Sequence, residues 1–244
     1  MSTKNQILAD KKINEVLKKI DFNKLEGKCK LLIIPCSDKK RSGGTDYYER
    51  NYFNSESYKY LQLLRGLRKH HYLEFINTYP NKFNKSKDIN GNGHKIFVDK
   101  YYFIDLLNNN NNFQPAFWRY DGEFYSDDLR ELYFLKNRES NLHILIVSGL
   151  YGVLEFRDEI IDYHLKINYG PNLWGNCLTD TINQYVEENE IEHDAVFYSL
   201  SDEYLKKIKP NRQWKNLWIN KIENSRQANI FYSADCILHF LKLL

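Results

Sequence analysis

Seven consecutive residues, Pro35-Cys36-Ser37-Asp38-Lys39-Lys40-Arg41, gather a thiol, a hydroxyl, a carboxylate and three cations. That set suits a phosphate or a carboxylate. Lys39 or Lys40 would reach it as a point charge and Arg41 as a two-pronged fork. Loop N–H groups would add to the same anion site. Cys36 offers a nucleophile for covalent chemistry. The competing readings are a solvated basic loop and a cysteine that is merely small and buried.

A second cluster starts at Ser148-Gly149-Leu150-Tyr151-Gly152 and continues through Asp158, Asp162, Tyr163 and His164 to Trp174. Gly149 and Gly152 would let the backbone bend or approach a ligand closely. Tyr151 would then point outward as a donor or a stacking ring. Asp158 and Asp162 could hold a ribose, an amine or a metal, or simply cap a helix. His164 is a possible acid–base group. Trp174 could stack on a base, although most aromatic residues fill core space.

Both clusters follow short apolar runs. Lys30 to Pro35 reads as one buried strand and 142–147 as another, because their apolar residues are continuous and not alternating. Pro35 ends the first, since it cannot donate to a ladder. In open α/β sheets ligands bind beyond the carboxyl ends of such strands. Neighbouring parallel strands would therefore bring Ser37, Lys39 and Ser148 into one crevice.

Other segments fill the frame. Residues 4–21 carry Ile13, Val16, Leu17 and Ile20 at helical spacing. Ser55 opens a helix running to His71, and His70-His71 at its end complement the helix dipole. Residues 80–94 read as a loop, Lys95 to Asp99 as a short strand, and Asn108 to Asn112 as a biased loop. A helix capped by Ser126 covers Asp127 to Asn137. Another covers Asn172 to Glu188, with Trp174, Leu178, Ile182 and Tyr185 on its buried stripe. Ala195 to Leu200 and Gln213 to Ile219 read as strands, Asp202 to Lys207 and Ala234 to Leu244 as helices. This alternation predicts an α/β fold: a mainly parallel or mixed central sheet flanked by helices, in a single compact domain.

Composition excludes several classes. The chain has 244 residues and a net charge of +3, which permits a local basic patch without announcing nucleic acid. Its four cysteines form no C-x-x-C pair, so no zinc or redox motif is expected. No compact His/Asp/Glu set has metal-ligand spacing, and neither a metal nor a cofactor is predicted. The amino terminus lacks an apolar signal region, and no run could span a bilayer. A cytoplasmic protein with reduced thiols and no membrane partner is the expectation.

The residues from 148 onward resemble the YaaA family of peroxide stress proteins. Its central signature is approximately S-G-L-Y-G-x-L, an acidic residue, a Tyr, and later Trp-Gly. Here these are Ser148 to Leu154, Asp158, Tyr163 and Trp174-Gly175, followed by Leu178-Thr179-Asp180 and Ile182-Asn183. The amino-terminal loop matches more loosely and is also similar to the Pro-Cys-Ser…Lys motif of the archaeosine synthase lysine-transferase domain. About residues 80–125 form an insertion with no family counterpart. The resemblance implies an α/β fold with a positively charged cleft, a helix-hairpin-helix-like element and a link to DNA binding.

Two functional readings follow. In one, a basic cleft binds DNA or a nucleotide through Lys39, Lys40 and Arg41, while Tyr151 or Trp174 stacks on a base. In the other, an enzyme acts on a nucleobase, nucleoside or amine-bearing substrate by glycosyl, amine or aminoacyl transfer. There Ser37 and Lys39 hold the anionic end, Ser148 and Tyr151 orient the reacting group, Asp158 is acid or base, and Cys36 is the nucleophile. Gly149, Gly152 and Tyr163 complete the expected ligand contacts. A third reading is an interaction protein without catalysis.

Overall fold

The computed structural model describes residues 3–41, 114–160, 167, 174, 177–220 and 226–244. The expected helix from Ser55, the loop at 80–94, the strand from Lys95 and the asparagine run lie outside them. So do Asp162, Tyr163 and His164.

In chain order the described strands are β1 (Lys30–Pro35), β2 (Lys39–Lys40), β3 (Gln114–Pro115), β4 (Tyr120–Asp121), β5 (Leu142–Ser148), β6 (Gly152–Glu155), β7 (Glu159–Ile160), β8 (Val196–Tyr198) and β9 (Lys215–Asn216). The helices are α1 (Thr3–Leu17), α2 (Ala116–Arg119), α3 (Asp127–Glu139), α4 (Cys177–Glu188), α5 (Asp202–Leu205) and α6 (Arg226–Leu243). Among the described residues, no helix is long and apolar enough to cross a membrane.

Among the described residues five strands make the central sheet, in the order β6-β5-β1-β8-β9. β1 runs parallel to β5 on one side and to β8 on the other, and β8 runs parallel to β9. Only the edge strand β6 is antiparallel. The mainly parallel α/β sheet expected from the alternation is therefore present. Every residue of β1 is buried, as the unbroken apolar run requires of a strand covered on both faces. Leu178, Ile182 and Tyr185 of α4 are buried on one stripe, but the helix starts at Cys177 and not at Asn172, so Trp174 lies buried in a bend before it.

Several boundaries differ from expectation for local reasons. Residues 152–155 pair with β5 as a strand, where a ligand loop was expected. Of the expected strand at 213–219 only Lys215–Asn216 pairs. There the Asn216 side chain accepts from Trp218 N–H at 2.8 Å and turns the chain away. α6 begins earlier than Ala234, because the polar Arg226-Gln227-Ala228-Asn229 stretch carries no apolar stripe to announce it. Ser126 does hold the amino-cap position of α3, but its hydroxyl makes no cap hydrogen bond. Asp127 and Asp128 in the first turn complement the helix dipole instead.

Candidate functional site

β1 is the centre of the sheet. After it the chain turns to β5 on one side, and later to β8 on the other. That reversal is a topological switch point, where open α/β sheets leave a crevice beyond the strand ends. A crevice of about 830 Å³ opens there. Pro35, Cys36, Ser37, Asp38 and Lys39 form one wall, and Ser201, Glu203 and Tyr204 after β8 form the facing one. The remaining walls come from the 121–126 segment, Asp128 and Leu129, and from Trp218, Ala234, Asp235 and Leu238, with Ile167.

The first wall is held from both sides. Cys36 N–H donates to Val147 O at 2.9 Å, continuing the β1–β5 ladder. Tyr125 donates its hydroxyl to Pro35 O at 2.7 Å. Ser37 Oγ accepts from Lys39 N–H at 3.2 Å, an ST-type turn. Gly122 has φ of +115° and would place any Cβ 3.2 Å from Ser37 Oγ, so the close approach of the two loops requires glycine.

Cys36 Sγ lies 3.4 Å from Tyr204 Oη. Burial, followed by the adjacent Cys36, holds the Tyr204 phenol well above the usual tyrosine value. The phenol therefore keeps its proton at neutral pH and can serve Cys36 or a ligand as a hydroxyl. Phe124 and Trp218 stand nearly parallel in the crevice wall, 14° apart with centroids at 6.4 Å. They provide an apolar surface for a planar group.

The rest of the basic run is engaged with the protein itself. Lys40 is buried, donates to Ser37 O at 2.9 Å and sits over the Tyr120 ring. Arg41 contacts Asp127 at 2.9 Å and Asp121 at 3.6 Å. Arg130, also buried, donates to Phe117 O, Tyr120 O and Asp127. These cations tie the loop after β1 to the segment that carries Gly122. Only Lys39 is a cation among the described lining residues, alongside Asp38, Asp121, Glu123, Asp128, Glu203 and Asp235.

The second cluster begins beside the first, because Pro35 pairs with Val147, but turns into the core. Ser148 pairs with Gly152 in a β5–β6 hairpin, and its hydroxyl accepts from Tyr151 N–H at 3.0 Å. Ser148 is fully buried and does not line the crevice among the described residues. Tyr151 does not point outward as expected; it is 2% exposed, packed in the core. Gly149 O accepts from Trp174 Nε1 at 2.9 Å, and Gly152, with φ of +76°, would place a Cβ 3.2 Å from the Trp174 ring. The Gly-x-x-Gly and the tryptophan thus form one packing unit. The Asp158 carboxylate accepts from Glu155 N–H at 2.9 Å and closes the turn after β6.

The structure thus brings Cys36, Ser37 and Lys39 together with Tyr204 and Trp218 in the crevice, while Ser148, next to Cys36 in the β1–β5 register, is buried and is not among the described lining residues. Tyr204, Glu203 and Trp218 were not singled out from the sequence. One signal for Tyr204 was available: it follows an apolar strand and Ser201, as the second cluster follows 142–147.

Comparison with known proteins agrees with this frame. A UPF0246 protein of Psychrobacter sp. (strain PRwf-1) is 36% identical over 115 residues, 40% of this chain and 41% of that protein. One from Shewanella oneidensis is 36% identical over 112 residues, 41% of this chain and 42% of the relative. One from Rickettsia felis is 31% identical over 124 residues, covering 47% and 48%. The chain spans less than half the length of these curated relatives. The family model for peroxide stress protein YaaA matches residues 31–230, from β1 into α6, and so covers the crevice walls except Ala234, Asp235 and Leu238. This chain belongs to the YaaA family of peroxide stress proteins.

Proposed function

We propose that this protein serves in peroxide-stress protection by holding a nucleobase-bearing ligand, a nucleotide or an unpaired base of DNA, in the crevice between β1 and β8. The observation that supports this reading is the crevice itself. It lies at the switch point and joins an aromatic wall, Phe124 and Trp218, to the polar groups of Ser37, Lys39 and Tyr204. A base inserts against the aromatic wall, where stacking is tolerant of base identity. Lys39, exposed at the rim, meets the attached phosphate.

The test is a melting-temperature screen with single-stranded and double-stranded oligonucleotides, nucleotides and nucleosides at low salt. A ligand of the native state raises the melting temperature by linkage. A raised temperature that is lost in Trp218→Ala supports the reading. No shift with any of these compounds defeats it.

The Cys36–Tyr204 contact favours a second reading, a transferase acting on a nucleobase, nucleoside or amine-bearing substrate. Cys36 is then the nucleophile, and the protonated Tyr204 hydroxyl donates a hydrogen bond to its thiolate. Undiminished turnover of any such substrate by Cys36→Ala removes that role.

A further inference from the structure

We propose that Ser199 is a specificity-determining residue of the crevice, a buried hydroxyl that hydrogen-bonds the polar edge of the inserted nucleobase. This rests on the reading of the crevice as a nucleobase site and names the group that selects a heteroaromatic ring over a merely apolar one.

Ser199 is fully buried, and its hydroxyl has no hydrogen-bond partner among the described residues. Such a hydroxyl gives up its bonds to water on folding and gains none in return, so it calls for an explanation. Its position supplies one. Ser199 N–H donates to Ile33 O at 2.9 Å and carries the β1–β8 pairing one step beyond Tyr198. The register pairs Leu32 with Phe197 and Ile33 with Tyr198; continued, it sets Ser199 level with Ile34, and Ser201 level with Cys36. Side chains alternate along a strand, so Ser199 shares a face with Phe197 and, on β1, with Ile34 and Cys36.

Phe197 meets Phe240 of α6 with ring centroids at 4.5 Å, so this is the face that α6 covers. Earlier in α6, Ala234, Asp235 and Leu238 line the crevice, as do Cys36 and Ser201 at the strand ends. Ser199 therefore lies between the packed phenylalanine pair and the lining residues, at the crevice floor. The Cys36–Tyr204 contact joins the ends of the same two strands above it. A thiol is a weak hydrogen-bonding group, so a ligand that parts this contact loses little and uncovers the hydroxyl.

Phe124 and Trp218 accept any planar ring, because stacking requires only a π-face. An apolar ring leaves the Ser199 hydroxyl unpaired, and a site discriminates against an analogue that does so. The edge of every nucleobase carries donors or acceptors. The hydroxyl both donates and accepts, so it selects a polar edge without choosing among bases. Lys39 keeps its place at the attached phosphate.

The experiment titrates the full chain and its Ser199→Ala variant by calorimetry with adenosine 5′-monophosphate, uridine 5′-monophosphate and a single-stranded oligonucleotide of mixed sequence. Melting curves of both proteins are recorded without ligand. The variant is expected to bind about tenfold more weakly, a loss of about 1.4 kcal/mol. Without ligand it is expected to melt no lower than the unaltered protein, because the methyl group leaves no hydroxyl unpaired. A lower melting temperature would show that the hydroxyl serves the fold, and equal affinities would show that no ligand meets it. Either result overturns the assignment of Ser199 and leaves the nucleobase reading intact. If none of the three compounds binds the unaltered protein, both fail.

Discussion

Cys36 Sγ and Tyr204 Oη, 168 residues apart in sequence, lie 3.4 Å from each other at the mouths of adjacent parallel strands. The contact ties the turn after β1 to the turn after β8 and marks the crevice between them. It also separates Cys36 from the core cysteine Cys236. That thiol is fully buried in α6, and burial pushes its pKa up to about 12.

Alkylation should read this difference directly. In the native protein near pH 8, Cys36 is expected to react at least about tenfold faster than Cys236, which stays protonated and enclosed. Peptide mass analysis over time provides the rates. Equal rates would show that the thiols do not differ in access as the structure places them.

The buried guanidinium of Arg130 holds together Phe117 O, Tyr120 O and Asp127. Lysine keeps the charge but cannot reproduce the fork. Arg130→Lys is expected to cost about 2–4 kcal/mol, because buried carbonyls lose their donors. Urea denaturation measures it, and a loss below about 0.5 kcal/mol would contradict the assigned bonds.

Gly152 combines a left-handed φ of +76° with the Trp174 ring 3.2 Å from a prospective Cβ. Gly152→Ala should destabilise by about 1–3 kcal/mol. Trp174→Leu in the same background should recover part of the loss, as the ring no longer opposes the methyl. Additive effects in the double-mutant cycle would disprove the contact.

His143 donates to or accepts from Tyr185 Oη at 2.7 Å, and burial lowers its pKa from the ordinary 6.5. The folded state therefore binds this proton less readily than the unfolded state. Stability from this group is full above pH 6.5 and falls as the pH drops from there toward the depressed folded value. His143→Phe should flatten the stability profile in that window. An unchanged slope in the variant would show that His143 does not carry it.

Much of this frame was legible in the residues. The short apolar run from Lys30 read as a buried strand and is one, and Leu178, Ile182 and Tyr185 announced the inner face of α4. The loop after Pro35 was correctly placed at a strand end. Its partner across the crevice was not, because an apolar run does not disclose which neighbour it takes. β1 has β5 on one side and β8 on the other, and the cavity opens on the β8 side. The Ser148 to Gly152 segment drew attention through its glycines and aromatic residue. Those features hold the hairpin under its tryptophan cover, a packing role that has the same residue types as a ligand loop. Lys40 and Arg41 were read as ligand groups from their charge alone. Lys40 turns back on Ser37 O three residues before it, and the Arg41 bond to Asp127, 86 residues on, has no local signature.

The most direct measurement is the alkylation rate of Cys36 with and without a saturating nucleobase ligand, with Cys29 and Cys177 as internal references. Ligand in the crevice predicts at least about tenfold protection of Cys36, with both reference rates unchanged. An unchanged Cys36 rate at saturation would place the ligand elsewhere and contradict the assignment of the crevice as the binding site.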